Sequence, residues 1–384
     1  MQLRISLAAT TILTALSSQA EDYVSFQYLQ YDENKNRTTV SAPSITINKD
    51  FGVDYTLNAS IVADAVSGAS QTYYDSDASS GASAIDSRGI GVNADAVTYG
   101  NVNYEDTRVA ASLALTTRFD NRDELIVGLN RSNESDFYST ELSTEYMHYL
   151  DSSKNQSLSL GVSYMANQIL VQCDNTGVGN CDASSGGSEE ETADTLSTQL
   201  SFQQILNSTS YIKTALFYAK EDGYLTNPYL NVVKNYIASS SADIVSENRP
   251  DNKTIYGLSL KYAKSFNEEF TLQSFYRYYS DDWGVNSHTI DTDLYYEINS
   301  DWLIKLGLRY YTQSEADFYK DGYFTNERYA SSDLRLSSFN SITYKTDVEY
   351  KFTKEFAYNI GLNFYDQSTD LSATYIMSGF RYSF

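Results

Sequence analysis

The stretch Met377-Ser-Gly-Phe-Arg-Tyr-Ser-Phe384 decides the fold class. Aromatic side chains occupy every second position, at Phe380, Tyr382 and Phe384, and the stretch stops on phenylalanine. An alternating aromatic strand that ends in this way is typical of the last strand of a Gram-negative outer-membrane β-barrel. We therefore expect an all-β protein of the outer membrane.

The first twenty residues support the same compartment. A short basic start, Met1-Gln-Leu-Arg4, precedes the apolar run Ile5–Leu16, and Ser18-Gln-Ala20 offers small residues at the positions that a signal peptidase reads. We expect a signal peptide at 1–20, cleaved after Ala20, and one barrel domain at 21–384. No later segment approaches the roughly 18 apolar residues that a membrane helix needs. A chain of this kind can cross a membrane only as a closed barrel, which satisfies its backbone hydrogen bonds between strands.

Composition agrees with long strands at a membrane. The chain of 384 residues has 35 Tyr and 17 Phe but only 3 Pro, and proline is the residue that removes a donor from a strand ladder. Tyrosine suits the interface, where its ring meets lipid and its hydroxyl meets water. Removing Arg4 with the leader leaves 26 basic against 50 acidic side chains. This acidity argues against nucleic acid as a partner. It is compatible with a surface beside lipopolysaccharide, but the solubility of the loops is the simpler explanation.

Alternation of apolar and polar residues recurs along the whole chain. Leu158, Leu160, Val162 and Tyr164, for example, alternate with small polar residues. This period of two predicts an antiparallel transmembrane barrel of about sixteen strands, apolar toward lipid and polar toward the lumen. The predicted strands are 22–31, 38–48, 52–65, 104–117, 123–132, 137–150, 155–170, 193–206, 209–221, 252–266, 269–280, 286–298, 301–315, 337–352, 355–367 and 371–384.

Loop lengths provide an independent test of the barrel. The four long connections, 66–103, 171–192, 222–251 and 316–336, all fall on one edge, and the turns on the other edge are short. Outer-membrane barrels have this asymmetry, with short periplasmic turns and long extracellular loops, whereas a soluble sandwich does not sort its loops. A barrel of sixteen strands leaves an aqueous channel unless loops plug it.

Several motifs carry a family resemblance. The most specific are Arg277-Tyr-Tyr-Ser-Asp-Asp-Trp-Gly-Val-Asn-Ser-His-Thr289 and Leu308-Arg-Tyr-Tyr-Thr-Gln-Ser-Glu-Ala-Asp-Phe-Tyr319. Shorter matches lie at Asp64–Ser70, Tyr104–Arg108, Gly223–Tyr229 and Arg249–Thr254. In this order they resemble an uncharacterised outer-membrane barrel family, known as domain of unknown function number 3570. The resemblance implies a barrel in the outer membrane and no assigned substrate.

The matching motifs all fall at the predicted extracellular ends of strands. They place acidic and basic residues around the outer mouth: Asp64, Glu105, Asp281, Asp282, Glu315 and Asp317, with Arg108, Arg249 and Arg277. These carboxylates could attract cations or coordinate a hard metal through oxygen. Alternatively, they are turn residues whose charge pairs pin loops to the rim. Both interpretations stay open from the sequence.

The predicted lumen face of the last third carries both signs of charge. Its members are Lys261, Arg277, Asp291, Asp293, Lys305, Arg309, Lys345, Asp347, Glu349 and Lys351. We expect Asp293 to lie opposite Lys305 across a short turn, as a cross-strand ion pair that fixes register. Neither sign dominates enough to predict ion selectivity.

The remaining reactive residues are few. Cys173 and Cys181 lie in one predicted surface loop, and in an oxidising compartment they predict a disulfide, with a redox pair or metal site as the alternative. His148 falls near the periplasmic end of its strand, and His288 lies near the rim acids, where a hydrolytic Asp/His site is conceivable. No motif for a nucleophile, metal or cofactor accompanies them, so the sequence favours a non-enzyme without cofactors.

The sequence thus predicts a porin-like channel or transporter for small solutes or ions, inserted by the barrel-assembly machinery. The competing interpretation is a non-conducting surface scaffold whose long loops, above all 66–103 and 222–251, plug the bore.

Overall fold

Sixteen antiparallel strands close into a barrel in the computed structural model, which describes residues 22–76, 89–172 and 188–384. The barrel strands are β1 (Tyr23–Glu33), β2 (Thr38–Phe51), β3 (Tyr55–Asp75), β5 (Val97–Arg118), β6 (Glu124–Asn133), β7 (Phe137–Tyr149), β8 (Gln156–Gln172), β9 (Ser188–Asn207), β10 (Ser210–Gly223), β13 (Asn252–Ser265), β14 (Phe270–Asp281), β15 (Asn286–Glu297), β16 (Trp302–Gln313), β17 (Phe339–Lys351), β18 (Phe356–Gln367) and β19 (Leu371–Ser383). Three short strands lie outside the barrel: β4 (Gly89–Asn93), β11 (Asn231–Ile237) and β12 (Ser241–Ser246).

Closure is made by the first and last strands. β1 pairs with β19 from Tyr23 opposite Ser383 to Glu33 opposite Ala373, so no edge of the sheet is left open. Every other barrel strand pairs with the barrel strands before and after it in the chain. The predicted antiparallel sixteen-strand barrel is therefore confirmed.

Two extracellular hairpins are longer than the sequence predicts. β3 continues to Asp75 and pairs with β5 from Val97, so the predicted loop 66–103 is in large part strand. β8 likewise continues to Gln172 and β9 begins at Ser188. These extensions continue beyond the apolar outer band, and their inner faces contribute Tyr73 and Val171 to buried clusters. The apolar alternation that marks a strand in lipid is lost there, although the ladder of hydrogen bonds continues.

The outer face of the barrel is apolar. Exposed aliphatic side chains such as Leu160, Leu216 and Leu306 follow the alternation around the wall. Aromatic rings gather at the periplasmic ends of the strands, with Trp302 4.5 Å from Tyr350 and Phe356 5.6 Å from Phe380 between ring centroids. An apolar band bounded by aromatic rings matches a lipid bilayer and its interface.

Two of the periplasmic turns share one hydrogen-bonding pattern. Asn299 Oδ1 accepts from the backbone N–H groups of Asp301 and Trp302, at 2.9 and 3.0 Å, and Asn267 does the same one turn earlier. An Asx side chain that binds the backbone two residues on fixes a tight turn. No helix in the three described segments is both long enough and apolar enough to cross a membrane.

The extracellular connections fold together instead of standing apart. β11 and β12 form a hairpin, and β12 pairs with β4 in a three-stranded sheet. The connection 314–338 is joined to this sheet by an isolated bridge between Lys234 and Phe324. We call residues 89–96, 224–251 and 314–338 the cap. Its interior contains two small apolar clusters, one around Val233 and Ile244 and one around Val232, Phe324 and Ala330.

Candidate functional site

The cap crosses the extracellular mouth of the barrel. The connection 314–338 joins β16 to β17, whereas β7 and β8 stand on the opposite side of the sixteen-strand ring. Yet Leu336 and Phe318, from this connection, pack against a buried cluster that contains Ile169 and Val171 of β8. A segment rooted in one wall therefore reaches the opposite wall.

A row of alternating charges lies where the two large parts of the cap meet; Glu247, Arg249 and Asp333 are buried, and Arg335 at its end is partly exposed to solvent. Glu247 lies 2.6 Å from Nε of Arg249, whose Nη2 donates to Asp333 Oδ2 at 2.8 Å. Arg335 Nη2 donates to the same Asp333 oxygen at 2.6 Å. Glu247 also accepts from the Asn227 backbone N–H at 2.8 Å and from the Ser331 hydroxyl at 2.5 Å. These contacts join 224–251 to 314–338 through charged hydrogen bonds that are shielded from water.

Burial and pairing act in opposite directions on the two carboxyl groups. Burial raises the pKa of Glu247, whose side chain has no solvent exposure, and Arg249 only partly opposes this. Burial would also raise the pKa of Asp333, but the charges of Arg335 and Arg249 hold it well below its usual range. Asp333 is therefore ionised, and it is the shared hydrogen-bond acceptor of Arg249 and Arg335.

Trp283 connects the cap to the barrel rim. Its indole N–H donates to the Asn252 carbonyl at 2.9 Å, its own carbonyl accepts from Asp317 N–H at 2.8 Å, and Phe318 packs edge-on at 5.1 Å between ring centroids. Trp283 is buried in the same cluster as Leu225. The motifs at Gly223–Tyr229, Arg249–Thr254, Arg277–Thr289 and Leu308–Tyr319, distant in sequence, meet here.

A cavity of about 430 Å³ lies directly beneath the cap. Arg249, Asp333 and Leu336 of the cap form its roof, and lumen-facing residues such as Ser112 of β5 and Asn167 of β8 form its walls. Because cap and wall residues line one space, the cap lies directly over the part of the bore next to β3, β5–β10 and β13.

Ion pairs line the lumen below the cavity. Lys345 Nζ lies 2.5 Å from Asp291 and 2.7 Å from Asp293, and Lys305 Nζ lies 2.7 Å from Asp347. The predicted partner of Lys305 is wrong. Tyr295, not Asp293, lies opposite Lys305, and Asp293 lies opposite Gly307. The observed neighbour of Asp293 is thus two residues further along β16 than the predicted one.

Tyrosines repeat near the extracellular ends of four strands. In each, an inward tyrosine donates its hydroxyl to the side chain two residues on, where the strand ends: Tyr31 to Glu33, Tyr279 to Asp281, Tyr311 to Gln313 and Tyr365 to Gln367. These bonds hold the four rings along one side of the lumen wall, near its extracellular end. The facing strands β5 to β9 present mainly small polar residues.

The predicted rim carboxylates do not share one environment. Asp64 is buried and paired with Arg108. Asp281 is also buried, and accepts from the backbone N–H groups of Trp283 and Val285 at 3.1 and 2.9 Å while Lys253 lies 3.3 Å away. The others, Glu105, Asp282, Glu315 and Asp317, are exposed. The contacts of the buried pair favour the turn-and-pinning interpretation for those two residues.

A further acidic group lies where β5 meets the short β6–β7 turn. Carboxylate oxygens of Asp106, Glu134 and Asp136 lie within 4.8 Å of one another. Burial, and then the charge of Asp106, raises the pKa of Glu134 to about 7. Oxygen ligands of this kind suit a hard cation, although exposed acidic groups often gather on protein surfaces without one.

The predicted cysteine and histidine features separate. Cys173 and Cys181 lie outside the described residues, so their disulfide stays a prediction. His148 lies near the periplasmic end of β7 as expected, 2.9 Å from Asp123. His288 is exposed on the outer face of β15, where Tyr276 OH lies 2.9 Å from its Nδ1. It faces away from Asp291, on the inner face, and the two do not form a joint site.

Sequence reasoning missed Glu247 and Asp333, because a charged loop residue looks the same whether it is solvated or buried. It also missed Arg335, the more exposed partner of Asp333. The repeated tyrosine and acceptor pattern could have been found, since it is visible as Tyr-x-Glu, Tyr-x-Asp and Tyr-x-Gln at four strand ends.

Comparisons with known proteins agree with the barrel. A family model described as "Protein of unknown function (DUF3570)" matches residues 4–379. No curated protein sequence matches the chain. Among solved structures, a bacterial polysaccharide outer membrane secretin has a TM-score of 0.50 at 6% identity, over 96% of this chain and 99% of that one. The CymD monoaromatic hydrocarbon channel has a TM-score of 0.43 at 11% identity, over 96% of this chain and 89% of that one.

The ferric enterobactin receptor PfeA of Pseudomonas aeruginosa has a TM-score of 0.44 at 11% identity, over 91% of this chain. The chain corresponds to only 54% of that receptor's length. At these identities the likeness shows the fold alone, an outer-membrane β-barrel.

Proposed function

The chain belongs to the family of proteins of unknown function DUF3570, and from that premise we propose that it is a gated outer-membrane channel for small solutes. The barrel has the strand number that leaves room for an aqueous bore. The cap closes this bore on the extracellular side and must move aside for a solute to pass.

One observation carries this proposal: Leu336 and Arg335, rooted between β16 and β17, line the same cavity as residues of the opposite wall. A lid that crosses the mouth and covers a polar, charged lumen is the arrangement of a gate. The lumen beneath it is lined by charged and hydroxyl groups, which suits solutes that carry hydrogen-bonding groups.

The same observation favours a second candidate, the non-conducting scaffold. If the cap never opens, the barrel is a rigid support that presents 224–251 and 314–338 at the cell surface. Energetics alone do not separate the two, since buried ion pairs are found both in static contacts and in switches.

Conductance of the refolded full-length protein in a planar bilayer separates them. We expect wild type to be mostly closed, with brief openings. Arg249→Ala removes the central cation of the row of charges in the cap and leaves Glu247 and part of Asp333 uncompensated, so the open fraction should rise. Arg328→Ala, which removes an exposed cap arginine, is the matched control and should behave like wild type. A folded barrel that stays silent in all three proteins would refute the channel and favour the scaffold.

A further inference from the structure

Four basic side chains form a strip on one wall of the lumen. Lys213 of β10 lies opposite Lys261 of β13, and Lys261 lies opposite Phe275 of β14. These residues form one cross-strand row on the inner face. In the same row, Phe275 lies opposite Asp291 of β15, and Asp291 lies opposite Arg309 of β16. Arg277 is two residues above Phe275 on the same inward face. We call Lys213, Lys261, Arg277 and Arg309 the basic strip.

Among the described residues, the strip differs from most other inward basic residues in having no acidic partner. Apart from Lys351 at the exposed end of β17, inward cations elsewhere in the described part of the lumen are paired: Lys345 with Asp291 and Asp293, Lys305 with Asp347, Arg381 with Glu349, Lys253 with Asp281, and Arg108 with Asp64. Within residues 22–76, 89–172 and 188–384, no carboxylate oxygen forms an ion pair with a strip residue.

The acidic groups near the strip do not neutralise it. Asp291 is the carboxylate within this row, but it already forms an ion pair with Lys345, whose Nζ lies 2.5 Å from its Oδ1. Glu145, on β7, acts on Lys213 only through its longer-range charge. Like charges on adjacent strands repel, and the repulsion grows as the surroundings become less polar than water. A strip of one sign against a low-dielectric wall attracts counter-ions from the bore.

Arg277 is positioned by an aromatic ring in place of a carboxylate. Its guanidinium carbon lies 4.6 Å from the centroid of the Phe217 ring. That ring occupies the space over Gly257, where a β-carbon would overlap it. Stacking fixes the plane of the guanidinium and leaves its N–H edge available to a ligand. Arg309, by contrast, is exposed in the lumen.

We infer that the basic strip binds the anionic group of the transported solute, a carboxylate or phosphate, on its way through the bore. The chemistry matches, because planar guanidinium groups and lysines are the side chains that recognise these anions. The inference rests on the proposed channel function and adds the class of solute to it. It also gives the opposite sign of selectivity from that expected of an acidic outer mouth.

Two measurements on the refolded full-length barrel test the strip separately from the channel. The first is calorimetric titration with inorganic pyrophosphate, which needs no current. The second is the reversal potential in a planar bilayer across a potassium chloride gradient. Wild type should bind pyrophosphate and pass chloride in preference to potassium.

The variants are Arg277→Gln/Arg309→Gln and Lys213→Gln/Lys261→Gln. Each should weaken pyrophosphate binding by about tenfold or more, the loss expected when charge-assisted hydrogen bonds are removed. Each should also move the reversal potential toward the potassium value. Lys220→Gln/Lys264→Gln is the matched control, because it removes two lysines from the outer face of the same strands β10 and β13, and it should leave both readouts unchanged.

The outcomes separate the two proposals. Currents that prefer potassium, or a conducting wild type that does not bind pyrophosphate, overturn the strip while the channel stands. Binding that the strip variants abolish, in a barrel that never conducts, supports the strip and refutes the channel. Equal loss of binding in the strip and control variants would overturn the inference, since the anion would then be attracted by overall charge.

Discussion

Lys345 and Asp293 form an ion pair of 2.7 Å although their strands, β17 and β15, are not neighbours. The strand between them is β16, and Gly307 lies opposite Asp293 on one side and opposite Lys345 on the other. The pair passes over this glycine, because a β-carbon there would overlap Oδ1 of Asp293 and Cε of Lys345. Because Gly307 has no side chain, the ion pair can lie against the barrel wall instead of projecting into the bore.

Gly307→Ala should destabilise the barrel, since one side chain of the ion pair must move off its site. We expect a loss of about 1–3 kcal/mol in the free energy of unfolding, measured as a lower urea midpoint of the refolded protein. Gly161→Ala is the matched control. It is another inward glycine of a barrel strand, but its β-carbon would meet its nearest neighbour, in the Glu145 side chain, at an ordinary 3.9 Å. An equal loss in both variants would refute the role of the space over Gly307.

The two tryptophans permit a direct measurement of cap opening. Trp283 is buried where the cap meets the rim, and Trp302 is exposed at the periplasmic aromatic belt. With Trp302→Phe, the fluorescence of the remaining Trp283 should be blue-shifted and should move to the red when Arg249→Ala is added. With Trp283→Phe, the fluorescence of Trp302 should not respond to the same change. A red shift at Trp302 alone would mean that the barrel, and not the cap, loosens.

The Asp123 carboxylate fastens the periplasmic end of the β6–β7 hairpin and gives it a defined pH dependence. Burial disfavours its charge, but donors from Tyr146, His148 and the Tyr149 backbone hold its pKa at about 2. An unfolded aspartate titrates near pH 3.9. The stabilisation is therefore fully present above about pH 4 and is lost as the pH falls from about 4 to about 2.

Asp123→Asn should lower the urea midpoint at pH 7 and should remove much of the difference in midpoint between pH 5 and pH 2.5. Asp120→Asn is the matched control, because Asp120 is an exposed residue of the β5–β6 turn, which also contains Asp123. It should retain the wild-type pH dependence. Equal pH dependence in wild type and Asp123→Asn would exclude this carboxylate as its source.

The barrel could be predicted from sequence because alternation is local. Leu158, Leu160 and Val162 identify their strand without reference to any other part of the chain. Register was harder to predict. Asp293 was expected opposite Lys305, but it lies opposite Gly307, two residues further along β16, because alternation gives the face of each residue and not its exact neighbour on the next strand.

The cap could not be predicted for a different reason. Glu247 is buried only because 224–251 meets Ser331 and Asp333, more than eighty residues later. Nothing in the neighbouring sequence distinguishes Glu247 from an acidic loop residue that is exposed to solvent. Contacts of this kind depend on the closed barrel, which brings the roots of distant loops together around one mouth.

The β6–β7 turn should make cap stability depend on pH in the opposite sense from Asp123. Tyr229 of the cap donates its hydroxyl to Asp136 in this turn, beside Glu134, whose pKa is raised to about 7 by burial and by Asp106. An unfolded glutamate titrates near pH 4.3, so the folded state binds the extra proton between about pH 4.3 and 7. Stability should therefore fall as the pH rises through this window and stay level above it.

Glu134→Gln mimics the protonated form and should abolish this fall, with the larger effect on the cap. Limited proteolysis of the cap at pH 5.5 and pH 8 measures it: wild type should be cut faster at pH 8, and Glu134→Gln should be cut at the same slow rate at both. Glu105→Gln removes an exposed carboxyl of β5 and should keep the wild-type difference. If Glu134→Gln retains the pH difference, the turn does not control the cap, because the only change made is the loss of the titrating proton beside Asp106 and Asp136.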